Sequence, residues 1–268
     1  MRVVRQLGIG VLLAVATLSI AAEALAPYDF ATQFREHANE PPSRTFLLGT
    51  DDLGRDRFSR LLYGTRVSLV LAPATALLAT IIAVAIGLPA GYHGGWLDRA
   101  ATASMDLFLS APWLFLLLTL RALLPLNLSA WSSLAVTFLL LGLVGWAAGA
   151  RVVRASAAAL RDSPPIKQAR AYGCGNRRLL WVHVLPGLRP VVIAQFWILV
   201  PAFIVTEANL GALGLGVTEP MPSWGNMLAE LQNYQKIPEA PWILVPAALL
   251  ILVVASLHFV VSGNRKWE

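Results

Sequence analysis

The chain has 268 residues, of which 57% are hydrophobic and 13% are charged, and its mean hydropathy is +0.64. Soluble domains carry about 25% charged residues, so this composition excludes an ordinary water-soluble protein and indicates a bilayer protein. The net charge of +6 does not indicate nucleic-acid binding, because the cations gather at the ends of apolar runs and in one loop. The single cysteine, Cys174, cannot form an internal disulfide, and no Cys/His spacing predicts a metal site.

Six apolar segments are long enough, some of them marginally, to cross the hydrocarbon core as helices. In chain order they are Leu7–Ala26, Val67–Gly91, Leu107–Leu126, Trp131–Ala150, Val191–Gly211 and Trp242–Gly263. The sequence therefore predicts an all-α polytopic membrane protein with about six transmembrane helices. It gives no motif for a cofactor.

The first segment has two interpretations. Arg2 and Arg5 precede an apolar run that ends in Ala22-Glu-Ala-Leu-Ala26, a pattern typical of a cleaved signal peptide. However, Pro27 follows directly, and proline is a poor residue after a cleavage site. Removal of the segment would also place the two termini on opposite sides of the membrane. A retained anchor helix is therefore favoured.

The stretch from Asp51 to Arg66 mixes apolar and charged residues and predicts an amphipathic helix at the membrane surface. Its apolar side chains would face lipid or the protein body, and they are Leu53, Phe58, Leu61 and Leu62. Its charged side chains Asp56, Arg57 and Arg60 would face water. We predict that residues 1–65 form the anchor and this outer segment, and that residues 66–263 form the transmembrane domain.

Lysine and arginine concentrate between residues 151 and 189, in a loop between two apolar segments. Because cytoplasmic loops carry an excess of these residues, the sequence predicts that this loop lies in the cytoplasm. With six spans, both termini then lie on the same cytoplasmic side. The first outer loop also contains arginines, but most of them share it with aspartate and glutamate.

The middle of this basic loop predicts two short helical pieces joined by a turn. Ile166–Tyr172 is long enough for about two helical turns, and Gly173 and Gly175 suit the turn because glycine adopts angles closed to other residues. Pro186 would end the second piece, Arg177–Leu185. Two interpretations remain: a short helix presented to a groove on another protein, or a solvated loop that only sets topology. The glycine placement, together with the resemblance described below, favours the first.

The fifth segment contains two residues with possible roles in a gate. A carboxylate within a membrane helix is costly, so Glu207 predicts either a gate or pathway residue or a structural hydrogen bond to a loop such as Leu213–Gly216. Pro201 would permit a kink in a moving helix. Asp106, at the start of the third segment, is predicted to favour a helix N-terminus.

Several short motifs occur along the chain in a definite order. They are Leu48-Gly-Thr-Asp-Asp-Leu-Gly-Arg-Asp56, Ser59-Arg-Leu-Leu-Tyr-Gly64, Gly91-Tyr-His-Gly-Gly-Trp96, Leu213-Gly-Leu-Gly216 and Pro222-Ser-Trp-Gly225. Together they resemble the permease subunits of binding-protein-dependent ABC importers, in the dipeptide, oligopeptide and nickel group. The resemblance runs from about Leu47 to about Pro246. It implies a multi-pass protein of the bacterial inner membrane with the type I ABC importer transmembrane-domain fold.

The basic loop resembles the coupling motif of this family. That motif reads Glu-Ala-Ala, three residues, Gly, nine residues, then a hydrophobic residue, any residue and Leu-Pro. Ala169, Gly173, Leu185 and Pro186 fit it, and the resemblance places them, with Lys167 and Arg170, in a loop that couples to the ATPase. Lys167 stands where the motif has glutamate, so it reverses a charge.

The resemblance implies that the chain works with several other proteins. These partners are a second homologous permease subunit, two cytoplasmic ATPase subunits and an extracytoplasmic substrate-binding protein. The sequence also indicates that a separate subunit hydrolyses ATP, because it contains no phosphate-binding loop. Gly49 and Gly54 have the glycine spacing of such a loop, but Arg55-Asp56 follows them in place of Lys-Ser or Lys-Thr. Two alternative functions are less favoured. A secondary transporter would usually show paired repeats with broken helices, whereas this chain has six spans and one asymmetric basic loop. A membrane-embedded enzyme would need nucleophile and base residues that converge, and no known catalytic spacing occurs. Peptides are the favoured substrates, ahead of nickel and other small solutes.

Overall fold

The structure, a computed structural model, describes residues 2–123 and 129–262. Its α-helices are α1 Arg2–Ile20, α2 Ala22–Leu25, α3 Arg57–His93, α4 Gly95–Ser110, α5 Trp113–Ala122, α6 Ala130–Val144, α7 Ala147–Arg161, α8 Pro164–Ala171, α9 Asn176–Arg178, α10 Leu185–Gly187, α11 Arg189–Ala212, α12 Trp224–Ala229 and α13 Val245–Ser262. A π-helix joins α9 to α10, and short 3-10 turns occur at Arg35–His37 and between α12 and α13. In the described part of the chain, extended pairing is limited to one bridge between Thr50 and Asp56, so the predicted all-α class is confirmed.

Five helical stretches among the described residues are long and apolar enough to cross a bilayer. They are Val3–Ile20, Arg57–His93, Ala130–Arg161, Arg189–Ala212 and Pro241–Val261. A sixth is obtained if α4 and α5 are taken together as one bent span. The prediction of about six transmembrane helices is therefore confirmed. The span ends predicted at Leu126 and Gly263 lie outside the described residues.

The third span is bent, whereas the sequence predicted one uninterrupted helix over Leu107–Leu126. The axes of α4 and α5 differ by 86° across a short break. Ala111 in this break has an extended backbone with ψ 133°, because the ring of Pro112 excludes the helical conformation from the residue before it. Asp106 is also misassigned, since it lies well inside α4 and forms an ion pair with Arg151.

Two helices extend beyond the predicted spans. The 37 residues of α3 correspond to about 55 Å of helix, and the domain boundary predicted between residues 65 and 66 falls inside it; that division stays a prediction. α7 continues to Arg161, so the predicted loop does not start at residue 151. Residues 151–161 stay helical because Val153 and Ala157 are fully buried at helical spacing.

Contacts divide the chain into two compact units. The first unit comprises Met1–Pro73, Pro125–Phe138 and Val200–Glu268, and the second comprises Ala74–Leu124 and Leu139–Leu199. Within the first unit, α1 packs along α13. A methyl group at Gly8 would lie 3.2 Å from the carbonyl oxygen of Ser256, so the two backbones approach closely in the manner of small-residue membrane contacts.

The charged residues between Asp51 and Arg66 are buried, which contradicts the prediction of a surface amphipathic helix. Asp56, Arg57 and Arg60 are only 1%, 8% and 3% exposed, and the helix begins at Arg57 rather than at Asp51. Burial of such groups is tolerated when they are paired and hydrogen-bonded. Each of these three groups has a partner within the first unit.

Asp56 accepts from the backbone N–H and the hydroxyl of Ser59, whereas the partners of the arginines are carboxylates from nearby and distant parts of the first unit. Arg55 donates from Nε to Asp51 Oδ2 at 2.7 Å and from Nη1 to Glu219 Oε2 at 2.6 Å. Arg60 donates from Nη2 to Glu219 Oε1 at 2.9 Å. Burial opposes the charge of Arg55, but Glu219 and Asp51 outweigh it and raise the pKa of its guanidinium. We call Asp51, Arg55, Arg60 and Glu219 the charged cluster.

Candidate functional site

α8 is a short amphipathic helix in the second unit, and it confirms the predicted first helical piece. It begins at Pro164, two residues before the predicted start at Ile166, because proline fits the first turn, where its missing N–H is not needed. Ile166 is 4% exposed, and Ala169 packs beside it against the same apolar core. The remaining face presents Lys167 and Arg170 to solvent.

The core beneath α8 fixes its position on the second unit. Its buried members come from α3, from α7, from α8 itself and from the chain after it, and they are Leu88, Tyr92, Val153, Ala157, Ile166, Leu179, Val184 and Leu188. The hydroxyl of Tyr92 also lies 3.2 Å from Asn176 Oδ1, to which it donates. α8 is therefore packed on the ends of two long helices.

The C-terminus of α8 is closed by a glycine turn. Gly173 has φ +82°, in the left-handed region that glycine adopts readily, as predicted for the turn. Its N–H donates to the carbonyl of Arg170 at 3.0 Å, and the N–H of Cys174 donates to the carbonyl of Ala169 at 3.1 Å. These are the two bonds of a Schellman motif. Ala169 and Cys174 contact the same core, which supplies the apolar contact that usually accompanies it.

Gly175 does not share this role, although the sequence suggested both glycines for the turn. Its φ of −65° and ψ of 149° are ordinary extended angles that any residue can adopt. A side chain at either glycine would point into open space. The left-handed conformation is thus required at Gly173 and not at Gly175.

The second helical piece has π character in its middle. After α9 the chain forms a π-helix over Leu179–Val184 and then passes into α10. Pro186 lies inside α10, so the prediction that it ends the piece is wrong. Proline has no N–H for the carbonyl four residues back and its ring crowds that carbonyl, which accounts for the widened turn before it.

This second piece also has one buried and one exposed side. Leu179 and Val184 are fully buried, and Leu185 packs partly against the same core. Trp181 and Val182 are 58% and 55% exposed. We call residues 164–188 the coupling segment. It contains all six residues predicted for coupling, which therefore lie together in the second unit: Lys167, Ala169, Arg170, Gly173, Leu185 and Pro186.

Glu207 lies in the first unit and is completely buried. Ser68 Oγ is 3.5 Å from Glu207 Oε2, and a methyl group at Gly225 would lie 2.9 Å from Glu207 Oε1. The loop that the carboxylate meets is therefore the turn at Ser223–Gly225 that starts α12, and not Leu213–Gly216 as predicted. Pro201 belongs to the same unit, and α11 continues as one helix through it.

Sequence reasoning missed one structural feature of the second unit, the close contact between α3 and α7. A methyl group at Gly87 would lie 2.5 Å from the carbonyl oxygen of Ala150, and one at Gly91 would overlap the carbonyl oxygen of Arg154. The pattern Gly87-Leu-Pro-Ala-Gly91 is a pair of glycines four apart, which typifies close helix contacts in membranes. That pattern was available in the sequence.

Comparison with known proteins gives a consistent result. The family described as "Binding-protein-dependent transport system inner membrane component" matches residues 83–265. The chain is 34% identical over 260 residues to a glutathione transport system permease protein of Pectobacterium atrosepticum, with 96% of this chain and 83% of that protein covered. It is 32% identical over 249 residues to a dipeptide transport system permease protein of Alkalihalophilus pseudofirmus, covering 92% and 79%. An oligopeptide transport system permease protein of Bacillus subtilis is 30% identical over 259 residues, with 96% and 82% covered.

Proposed function

Because the chain belongs to the family of inner membrane components of binding-protein-dependent transport systems, we propose that its coupling segment receives the movement of an ATPase subunit. The observation that carries this proposal is α8 itself. Its buried face is packed on α3 and α7, its end is closed by Gly173, and its other face is exposed. A helix held in this way transmits a displacement to the long helices beneath it, because packed interfaces shift as units.

The chain is the permease component of an ABC importer, and we propose that peptides are its substrates. The relatives described above are named for dipeptide, oligopeptide and glutathione transport. The proposed complex contains a second homologous permease, two cytoplasmic ATPase subunits and an extracytoplasmic binding protein. ATP binding would close the ATPase pair, and the coupling segments would follow and switch the pathway between two packed states.

Aromatic side chains on the coupling segment provide a test of docking. Tyr172 is 85% exposed, and exposed tyrosines at interfaces are frequently the residues that contribute most to binding. We expect Tyr172→Ala to reduce the ATPase that co-purifies with the transporter by about tenfold, the effect of roughly 1.4 kcal/mol. Tyr234→Ala, at a tyrosine that is 76% exposed in the first unit, is the matched control and should leave that quantity unchanged. Equal retention in both variants would contradict docking at this segment.

The same pair of tyrosines tests the proposed orientation, in which both termini and the coupling segment are cytoplasmic. In a background without Cys174, we expect an impermeant thiol reagent to label Tyr234→Cys in intact cells. Tyr172→Cys should react only after permeabilisation of cells that lack the ATPase subunits. Both side chains are well exposed, so absence of labelling reports the membrane barrier rather than burial. The opposite pattern would refute the orientation.

For Glu207 we propose a structural role, in which it fastens the turn at Ser223–Gly225 to α11. Removal of a buried hydrogen-bonding group leaves its partners unsatisfied, at a cost of about 1–3 kcal/mol. We therefore expect Glu207→Ala to lower the amount of folded protein in the membrane and Glu207→Gln, which has the same shape, to restore most of it. The alternative role of Glu207 and Pro201 in a gate predicts a different result: Glu207→Gln would then be abundant but deficient in uptake.

A further inference from the structure

The coupling segment carries positive charges that form no ion pair with a carboxylate of the described part of the second unit. Between residues 163 and 189 the sequence has no aspartate or glutamate. Its cations are Lys167, Arg170, Arg177 and Arg178, and Arg189 follows it directly. All five are exposed. Among the described residues, none of them takes part in an ion pair.

The three acidic residues of the described second unit are already paired with arginines of α7. Asp106 pairs with Arg151 and Asp98 with Arg154. Asp162 accepts from Arg161 Nη2 at 3.0 Å. This hydrogen bond, with contributions from nearby Lys167 and Arg170, lowers the pKa of Asp162. Apart from Asp162, which is already paired with Arg161, the positive surface of the coupling segment has no counter-charge within the described part of the second unit.

The geometry brings this charge together with apolar side chains suited to an interface. Lys167 and Arg170 are three residues apart on α8, so they are neighbours on its surface. Tyr172 stands at the end of that helix, and Trp181 is exposed on the π-helix that follows. Aromatic anchors bordered by charged groups are typical of protein interfaces. Covering the cations without compensation would cost desolvation energy, so a protein that docks over them is expected to bring carboxylates.

We propose that the coupling segment docks into an acidic groove of its ATPase partner, with Lys167 against an aspartate or glutamate. This inference rests on the proposed coupling function and adds the chemistry of the partner surface. Lys167 replaces a glutamate of the family's coupling motif, so the charges across the contact are reversed at this position. The reversal selects for one kind of ATPase, because like charges across an interface repel.

Carbodiimide cross-linking of the assembled transporter tests this contact directly. The reagent converts a carboxylate into an O-acylisourea. An adjacent lysine amine attacks the carbonyl carbon of this ester, the urea leaves, and an amide forms. The chain has three lysines, Lys167, Lys236 and Lys266, so the products can be assigned by mass spectrometry. We expect an amide between Lys167 and an aspartate or glutamate of the ATPase subunit. Lys167→Arg removes the amine but keeps the charge, and it should abolish this product while binding the ATPase better than Lys167→Glu does.

Charge reversal supplies the second readout. We expect Lys167→Glu to reduce the co-purifying ATPase by about tenfold at low salt, as loss of one charge pair does in other complexes. The difference from the unaltered chain should shrink at high salt, where charges are screened over about 3 Å. Lys236→Glu, at an exposed lysine of the first unit, is the control and should retain the ATPase.

Three outcomes separate the hypotheses. The acidic groove is overturned if Lys167 forms no cross-link and Lys167→Glu retains the full amount of ATPase. The coupling function still stands in that case if Tyr172→Ala loses the ATPase. Full retention in both variants removes the coupling function as well. In the third outcome, Lys167→Glu keeps the ATPase but weakens binding of the purified transporter to phosphatidylglycerol vesicles. That result would assign the surface to anionic lipid and overturn the proposal.

Discussion

The Gly173→Val variant is expected to reach the membrane in normal amounts and to lose about nine-tenths of its ATP-driven uptake of a labelled dipeptide. Valine is β-branched and strongly disfavours the positive φ that this position requires. The cost is about 1–2 kcal/mol, and the helix end can avoid it by giving up the two hydrogen bonds that close α8. Because a Cβ at this position would have no atom within 4 Å apart from its chain neighbours, the rest of the unit should fold normally.

Gly175→Val is the matched control for this variant. Gly175 is also exposed and surrounded by open space, but its backbone angles are extended and suit a β-branched residue. We expect uptake close to that of the unaltered chain. Gly173→Asn should be intermediate, since asparagine tolerates the left-handed region better than valine. Equal uptake in the two valine variants would show that the closed end of α8 is not needed for coupling.

Gly91→Leu is expected to remove most of the protein from the membrane. The first carbon of any side chain at Gly91 would overlap the carbonyl oxygen of Arg154 and lie 3.0 Å from Ala157 Cβ. α3 and α7 would have to separate, which opens the core that supports α8. Overpacking of this kind costs about 3 kcal/mol, a large part of the total stability of a typical domain. Abundance of the full-length chain, measured by immunoblotting of membranes, gives the result.

Gly10→Leu controls for the introduction of leucine into a glycine position of a membrane helix. No atom lies within 4 Å of a methyl group placed at Gly10, and leucine is a better helix former than glycine. We expect unchanged or increased abundance. A Gly91→Leu protein as abundant as the Gly10→Leu protein would contradict the close contact between α3 and α7.

The sequence predicts the spans and the coupling helix well because their causes are local. Long uncharged runs determine the membrane helices, and Ile166 and Ala169 share one face of α8 through their spacing. Gly173 follows the last helical residues at the position where a helix usually ends in a left-handed glycine. The bend between α4 and α5 also had a local cause in Pro112, but the apolar run around it gave the stronger pattern and hid the break.

The burial of a charged residue cannot be predicted from local sequence when its partner lies far away in the chain. Arg57 and Arg60 have the spacing of a solvated helix face, and nothing near them in the chain shows that they are buried. Their compensating groups are Glu230 and Glu219, which approach only when the first unit has formed. Glu207 shows the same limit: its hydrophobic surroundings are evident from the sequence, whereas the turn at Ser223–Gly225 that it meets is not.

The charged cluster joins residues that are far apart in the chain, so it can form only after Glu219 has been synthesised. Arg55 leaves the ribosome 164 residues before its partner Glu219, so the two arginines of the cluster first share a single carboxylate, Asp51. Contacts between such distant residues form late in folding. The ion pairs of Arg55 and Arg60 with Glu219 therefore cannot form until the turn that contains Glu219 has been synthesised. A nascent chain interrupted before Glu219 would expose an unsatisfied arginine, a feature that distinguishes unfinished copies from complete ones.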